Sequence, residues 1–128
     1  MSLKDHLSVM VVDDMSTSRG LIIMALEEMG IRKIDHRADG RSALNALAAN
    51  PAHLVISDFN MPGMDGLQLL KALRENRITQ RIGFILVSGR IDQEILSTGR
   101  ALGMNNYIHK PFSTPQLRAC LQAVVGAL

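Results

Sequence analysis

The stretch "VISDFNMPGMDG" (residues 55–66) runs an apolar segment into a carboxylate, Asp58, and then into a turn built from Asn, Pro and Gly. A short apolar run closed by such residues reads as a buried β-strand, because Pro62 and the glycines punctuate what precedes them. An acid at that junction has two readings. It can serve the turn or start the next helix, where Asp is at home, or it can be a carboxylate delivered to the sheet edge for chemistry. The rest of the chain decides between them.

Working outward, short apolar runs alternate with segments of helical period. The strand candidates are "LSVMVV" (7–12), "IRKIDHR" (31–37), "HLVIS" (53–57), "IGFILVS" (82–88) and "NNYIHK" (105–110). Five helix candidates follow them: "STSRGLIIMALEEMG", "GRSALNALAAN", "GLQLLKALREN", "DQEILSTGRALG" and "STPQLRACLQAVVGAL". Ile22, Ala25, Leu26 and Met29 form one apolar stripe, as do Leu67, Leu70 and Leu73, and Leu117, Cys120, Leu121 and Val124. Ser16, Asp65 and Ser113 are candidate N-caps, Gly30 and Gly103 follow helices, and Pro115 falls in a first helical turn, where its missing N–H costs little.

The runs around "VMVV", "LVIS" and "FILVS" are continuously apolar rather than alternating, as strands covered on both faces must be. Strict β-α alternation then predicts an α/β domain with a doubly wound, five-stranded parallel sheet and five helices. No repeat or linker interrupts residues 5–128, which read as one domain; residues 1–4 read as an N-terminal extension or a cloning remnant.

Composition narrows the function. The 128 residues are 47% hydrophobic, enough for one sizeable core, but only 3% aromatic with no Trp, which supplies stacking recognition of bases or sugars poorly. The net charge is +2, yet the first 64 residues carry six Lys/Arg against eight Asp/Glu and the rest eight against four, without a basic run. Direct nucleic-acid binding is therefore not expected. One cysteine, Cys120, suits a reducing cytoplasm and reads as a small core hydrophobe, and no segment reads as a membrane span or secretory signal.

In an open parallel sheet, ligands bind beyond the carboxyl ends of the strands. That rule gathers Asp13 and Asp14 after the first strand, Asp58 after the third, Ser88 after the fourth and Lys110 after the fifth. Singly, each can be a cap, a turn residue or a solvated strand end. Together, three carboxylates at one edge repel each other and need a counter-charge. Mg²⁺ suits that need, binding through one or two carboxylates, a carbonyl and waters while leaving room for a phosphate oxygen. A lysine ammonium at about 4 Å adds attraction of about 4 kcal/mol at an effective dielectric near 20. With both in place, one carboxylate can act as nucleophile in an in-line displacement and form an aspartyl phosphate.

"VVDD", "VISDFNMPGMDG", "LVSG" and "HKPF", in this order and spacing, resemble the bacterial receiver domain, above all the single-domain chemotaxis response regulators of the CheY type. The resemblance spans nearly the whole chain and implies strand order 2-1-3-4-5 in a flavodoxin-like, CheY-like fold. It implies Asp58 as phosphoryl acceptor and Mg²⁺ ligand, Asp14 as a direct Mg²⁺ ligand, Asp13 acting through water, and the Asn60 backbone carbonyl as a further ligand. Mn²⁺ is an admissible substitute. Ser88 and Lys110 would hold phosphoryl oxygens, and the Lys110–Pro111 bond would be cis. Ser88 and Tyr107 would form the switch, read out on the face of the fourth helix, fifth strand and fifth helix (the α4-β5-α5 face in that family's labels).

The implied partners are a sensor histidine kinase as phosphodonor and a protein effector, such as a flagellar motor switch protein or a phosphotransfer protein, for a cytoplasmic monomer or weak dimer. Arg90, two positions after Ser88, departs from the acid found there in the best-known chemotaxis member, and with Asn60 it flanks the route of attacking water, so both would modulate phosphoryl lifetime.

Several alternatives remain. A phosphorelay shuttle or phosphate sink would share the same chemistry. The receiver half of a DNA-binding regulator is another, although the chain ends at "VVGAL" without a linker, which favours a stand-alone protein. The expected role is a signalling switch with limited autophosphorylation and autodephosphorylation chemistry, not an enzyme. Aspartyl-phosphate phosphatases carry a second acid two residues after the nucleophile, where this chain has Asn60. A flavodoxin would want a Ser/Thr/Gly-rich phosphate loop where Asp13 and Asp14 stand. His6, His36, His53 and His109 lack metal-ligand spacing, and the eight Met read as core filling.

Overall fold

The three continuously apolar runs occupy the centre of the sheet. In the computed structural model, which describes residues 3–128, the elements run α1 (Leu3–His6), β1 (Ser8–Val12), α2 (Ser16–Glu28), β2 (Lys33–Arg37), α3 (Gly40–Ala49), β3 (Leu54–Asp58), α4 (Gly66–Glu75), β4 (Gly83–Ser88), α5 (Gln93–Ala101), β5 (Asn106–His109) and α6 (Thr114–Val125). All strand pairs are parallel, in the order β2-β1-β3-β4-β5.

Alternate residues of the central strands feed two cores. Val9, Val11, Ile56, Ile85 and Val87 pack with Ile22, Leu26, Leu117 and Leu121 of α2 and α6. Met10, Val12, Val55, Phe84 and Leu86 pack with Leu47, Leu69, Leu70 and Leu73 of α3 and α4. Apolar side chains on both faces are what strands sandwiched between helix layers require. Each such side chain, once buried, contributes about 1.5–3 kcal/mol.

The helix ends mostly follow local chemistry. Asp65 and Ser113 each close a reciprocal capping box, with Gln68 and Gln116, and Gly30 and Gly103 take φ of 88° and 87° after α2 and α5.

Some expectations need correction. Among the described residues there are six helices rather than five, because "LKDH" forms the short α1 ahead of β1. Those four residues are too few to show a helical period. Of the expected extension 1–4, residues 1 and 2 lie outside the described residues, whereas Leu3 and Lys4 belong to α1. Ser16 does not cap α2. The N-cap is Met15, whose own N–H is held by Asp13 Oδ1 at 3.0 Å, so the side chain that organises this helix start comes from the strand end. Nor are all methionines core filling: Met10, Met29 and Met61 are buried, but Met15 and Met24 are 61% and 57% exposed.

Candidate functional site

Three strand ends converge on one polar cluster. Asp13 follows β1 and is fully buried, Asp58 ends β3 and is 7% exposed, and Asp14 lies at the surface. Carboxylate oxygens of the three lie within 4.8 Å of one another. From the end of β5, Lys110 reaches into the cluster, with Nζ 3.2 Å from Asp13 Oδ2 and 3.4 Å from Asp58 Oδ1. Three negative charges thus face one ammonium.

The backbone fixes the acids. Asp58 Oδ1 accepts the Phe59 N–H at 2.9 Å, and the Asp13 N–H donates to the Arg37 carbonyl at 3.1 Å. Gly66 opens α4 directly against the end of β3, its N–H bonded to the Phe59 carbonyl at 2.9 Å. A Cβ at Gly66 would stand 2.5 Å from the Asp58 carbonyl oxygen, so the helix approaches this closely only because the residue is glycine. Burial pushes the Asp58 carboxyl above the ordinary carboxylate range; Lys110 opposes that shift and Asp13 reinforces it. The site therefore favours a further positive charge.

The remaining expected residues take distinct places. Asn60 is exposed on the loop after β3 and shares a cleft of about 450 Å³ with Asp14, Met61 and Asp65. Ser88 is buried at the end of β4. Its Oγ donates to the Arg90 carbonyl at 3.0 Å and accepts the Arg90 N–H at 3.1 Å, while its own carbonyl holds the Lys110 N–H at 2.9 Å. The Lys110–Pro111 bond is cis. Tyr107 is half-buried on β5, with its ring edge-on to His109 at 6.3 Å. The exposed Arg90 lines the groove between α4 and α5, apart from the acid–lysine contacts. Cys120 is buried, its thiol pushed up to about 11 by desolvation.

Two residues absent from the sequence-based set also shape the site. Arg19, whose Nη1 donates to the Asp13 carbonyl at 2.7 Å, has no local signature. Gly66 had one, the "DG" at residues 65–66, which marks a helix start but not the close approach behind it.

The family model for the response regulator receiver domain matches residues 9–122. The chain belongs to that receiver family. This receiver is 40% identical to a probable chemotaxis protein CheY of Rhizobium etli over 128 residues, covering all of this chain and 99% of the relative. Its identity with Vibrio cholerae chemotaxis protein CheY-3 is 30%, over 98% of this chain and 97% of the relative. A crystal structure of Vibrio cholerae chemotaxis protein CheY4 superposes with a TM-score of 0.86 at 30% identity, covering 92% of this chain and 98% of that one. The architecture is thus the flavodoxin-like CheY fold. Receivers bind Mg²⁺ at an acidic pocket, and Asp13, Asp14 and Asp58 form one here. No helix among the described residues is long and apolar enough to cross a membrane.

Proposed function

We propose that this receiver is a Mg²⁺-dependent phosphoacceptor switch in which Asp58 takes a phosphoryl group from a histidine kinase. The observation that carries it is the ion geometry at the strand ends: two buried carboxylates share one lysine, and a third carboxylate lies within 4.8 Å. Three acids against one ammonium fit a divalent oxygen-seeking cation. Asp14, Asp58 and the Asn60 carbonyl would hold it directly, with Asp13 acting through water. When bound, the cation supplies charge neutralisation for the incoming phosphoryl oxygens.

The protein's own groups then have defined tasks. An Asp58 oxygen attacks phosphorus in line, forming a P–O bond as the P–N bond of the phosphohistidine breaks, and the departing imidazole keeps the electron pair and takes up a proton. Lys110, already 3.4 Å from Asp58, balances charge on the phosphoryl group. Ser88 exchanges its bonds to Arg90 for one to a phosphoryl oxygen, and Tyr107 moves with it. Phosphorylation thereby biases the face formed by α5, β5 and α6. Asn60 and Arg90 set how long the phosphoryl group lasts against water.

Residues 5–128 form the receiver unit of a cytoplasmic chemotaxis-type regulator that acts on a protein effector, such as a flagellar switch component or a phosphotransfer protein. The likeness to CheY proteins of Rhizobium etli and Vibrio cholerae supports that pathway. Intact mass spectrometry after incubation with acetyl phosphate tests the chemistry. A single phosphoryl adduct that requires Mg²⁺ and is lost in Asp58→Ala is expected; an adduct that persists in Asp58→Ala, or none in the wild type, would refute the assignment.

A further inference from the structure

The two acids of the β1–α2 turn are held very differently. Asp13 is fixed on all sides: its N–H by Arg37, Oδ1 by the Met15 N–H and Oδ2 by Lys110. Asp14 is exposed, and among the described residues its carboxylate has no hydrogen bond or ion pair. Its direction is therefore set by the turn beneath it. The peptide plane entering Asp14 carries the Asp13 carbonyl, and that carbonyl accepts Arg19 Nη1 at 2.7 Å.

The contact is not what local electrostatics would choose. Arg19 lies in the first turn of α2, where the helix dipole is positive and disfavours a cation by about 0.3–1 kcal/mol. Yet the side chain folds back over the helix start to reach a carbonyl six residues earlier. A short charge-assisted bond beside an acidic edge offsets that cost.

We infer that Arg19 is a positioning residue of the cation site: by clamping the Asp13–Asp14 peptide plane it aims the otherwise unsupported Asp14 carboxylate into the cluster. This rests on the cation-binding role proposed above. It makes a prediction opposite in sign to simple electrostatics. Deleting a nearby positive charge should tighten divalent-cation binding by Coulomb's law alone, whereas loosening the turn should weaken it.

Mg²⁺ titrations of ¹⁵N-labelled protein followed by NMR, together with amide exchange of Met15 measured without metal, separate the two. Arg19→Met keeps the aliphatic stem and is expected to bind Mg²⁺ about ten-fold more weakly, the scale of an outer-shell loss, with faster exchange at Met15. Arg19→Lys, which retains the charge and a donor, is expected to recover most of both. Unchanged or tighter Mg²⁺ binding in Arg19→Met, or unchanged Met15 exchange, would overturn the clamp while leaving the cation site standing. A wild type that does not respond to Mg²⁺ would overturn the cation site itself, and the clamp's role with it.

Discussion

The two edges of the sheet treat polar groups in opposite ways. At the amino edge polar groups are paired with one another within the protein. The Ser8 N–H donates to His53 Nδ1 at 3.0 Å while the His53 N–H returns to the Ser8 carbonyl, and buried Thr79 Oγ1 donates to the Leu73 carbonyl at 2.7 Å. Arg74 satisfies four acceptors: the carbonyls of Gln80, Ile82 and Gly103, and Asn105 Oδ1. At the carboxyl edge two buried carboxylates share one lysine with a third carboxylate beside them, and burial pushes one of the pair, Asp58, above the ordinary carboxylate range. The amino edge spends its polar groups on stability. The carboxyl edge leaves charge unbalanced, and that imbalance is what a cation and a phosphoryl group can satisfy.

The comparison is sharpened most by Lys110→Met, which removes the ammonium that contacts both buried acids. Phosphoryl acceptance from acetyl phosphate is expected to slow by about 10²-fold, the scale of losing one electrostatic stabiliser, while Mg²⁺ binds more tightly. An unchanged rate in an initial-rate assay would make Lys110 a bystander.

At the other edge, Arg74→Met removes four hydrogen bonds at once, of which the one to the Ile82 carbonyl is part-buried and the one to Asn105 Oδ1 leaves that oxygen the Phe84 N–H. The substitution is expected to cost about 2 kcal/mol in urea denaturation, the scale of bonds to a charged group. Phosphoryl acceptance should not change; a slowed rate at a temperature where the variant is fully folded would break the division between the edges. Gly66→Ala touches both properties, because its Cβ meets the Asp58 carbonyl at 2.5 Å. It is expected to cost about 2 kcal/mol through overpacking and to slow acceptance by displacing Asp58, a pairing that the same two assays check.

The smallest effect concerns pH. Asp58 titrates above its ordinary value of 3.8 in the folded protein. Between that value and the raised one, the folded state holds more protons than the unfolded state, so stability falls as pH rises through the window. Asp58→Asn removes this loss. In chelator, the variant should unfold at higher urea than wild type at neutral pH, with the gap closing as pH falls toward 3.8; a gap that widens on acidification would show that burial does not dominate at Asp58.

Much of this organisation was legible in the sequence, for reasons that differ by element. "VMVV", "LVIS" and "FILVS" announced central strands because a doubly covered strand tolerates only apolar residues, and those strands placed Asp13, Asp14, Asp58 and Ser88 at one edge, to which "NNYIHK" added Lys110. Helix ends at Asp65, Ser113, Gly30 and Gly103 could be read because capping is local. The α2 start was misread since Met15 is held by Asp13, a contact no propensity encodes. Arg74 was silent because its partners Gly103 and Asn105 lie 29 and 31 residues away, and Arg19 because only the folded turn shows which carbonyl it reaches.

The claim on which the rest depends is that Asp58, rather than another acid of the cluster, carries the phosphoryl group. Borohydride reduces an aspartyl phosphate to homoserine, so trapping the wild type after acetyl phosphate and Mg²⁺ treatment and sequencing its peptides locates the acceptor directly. Homoserine at position 58 alone is the predicted result; homoserine at position 13 or 14, or none anywhere under conditions that yield the adduct, would contradict the account.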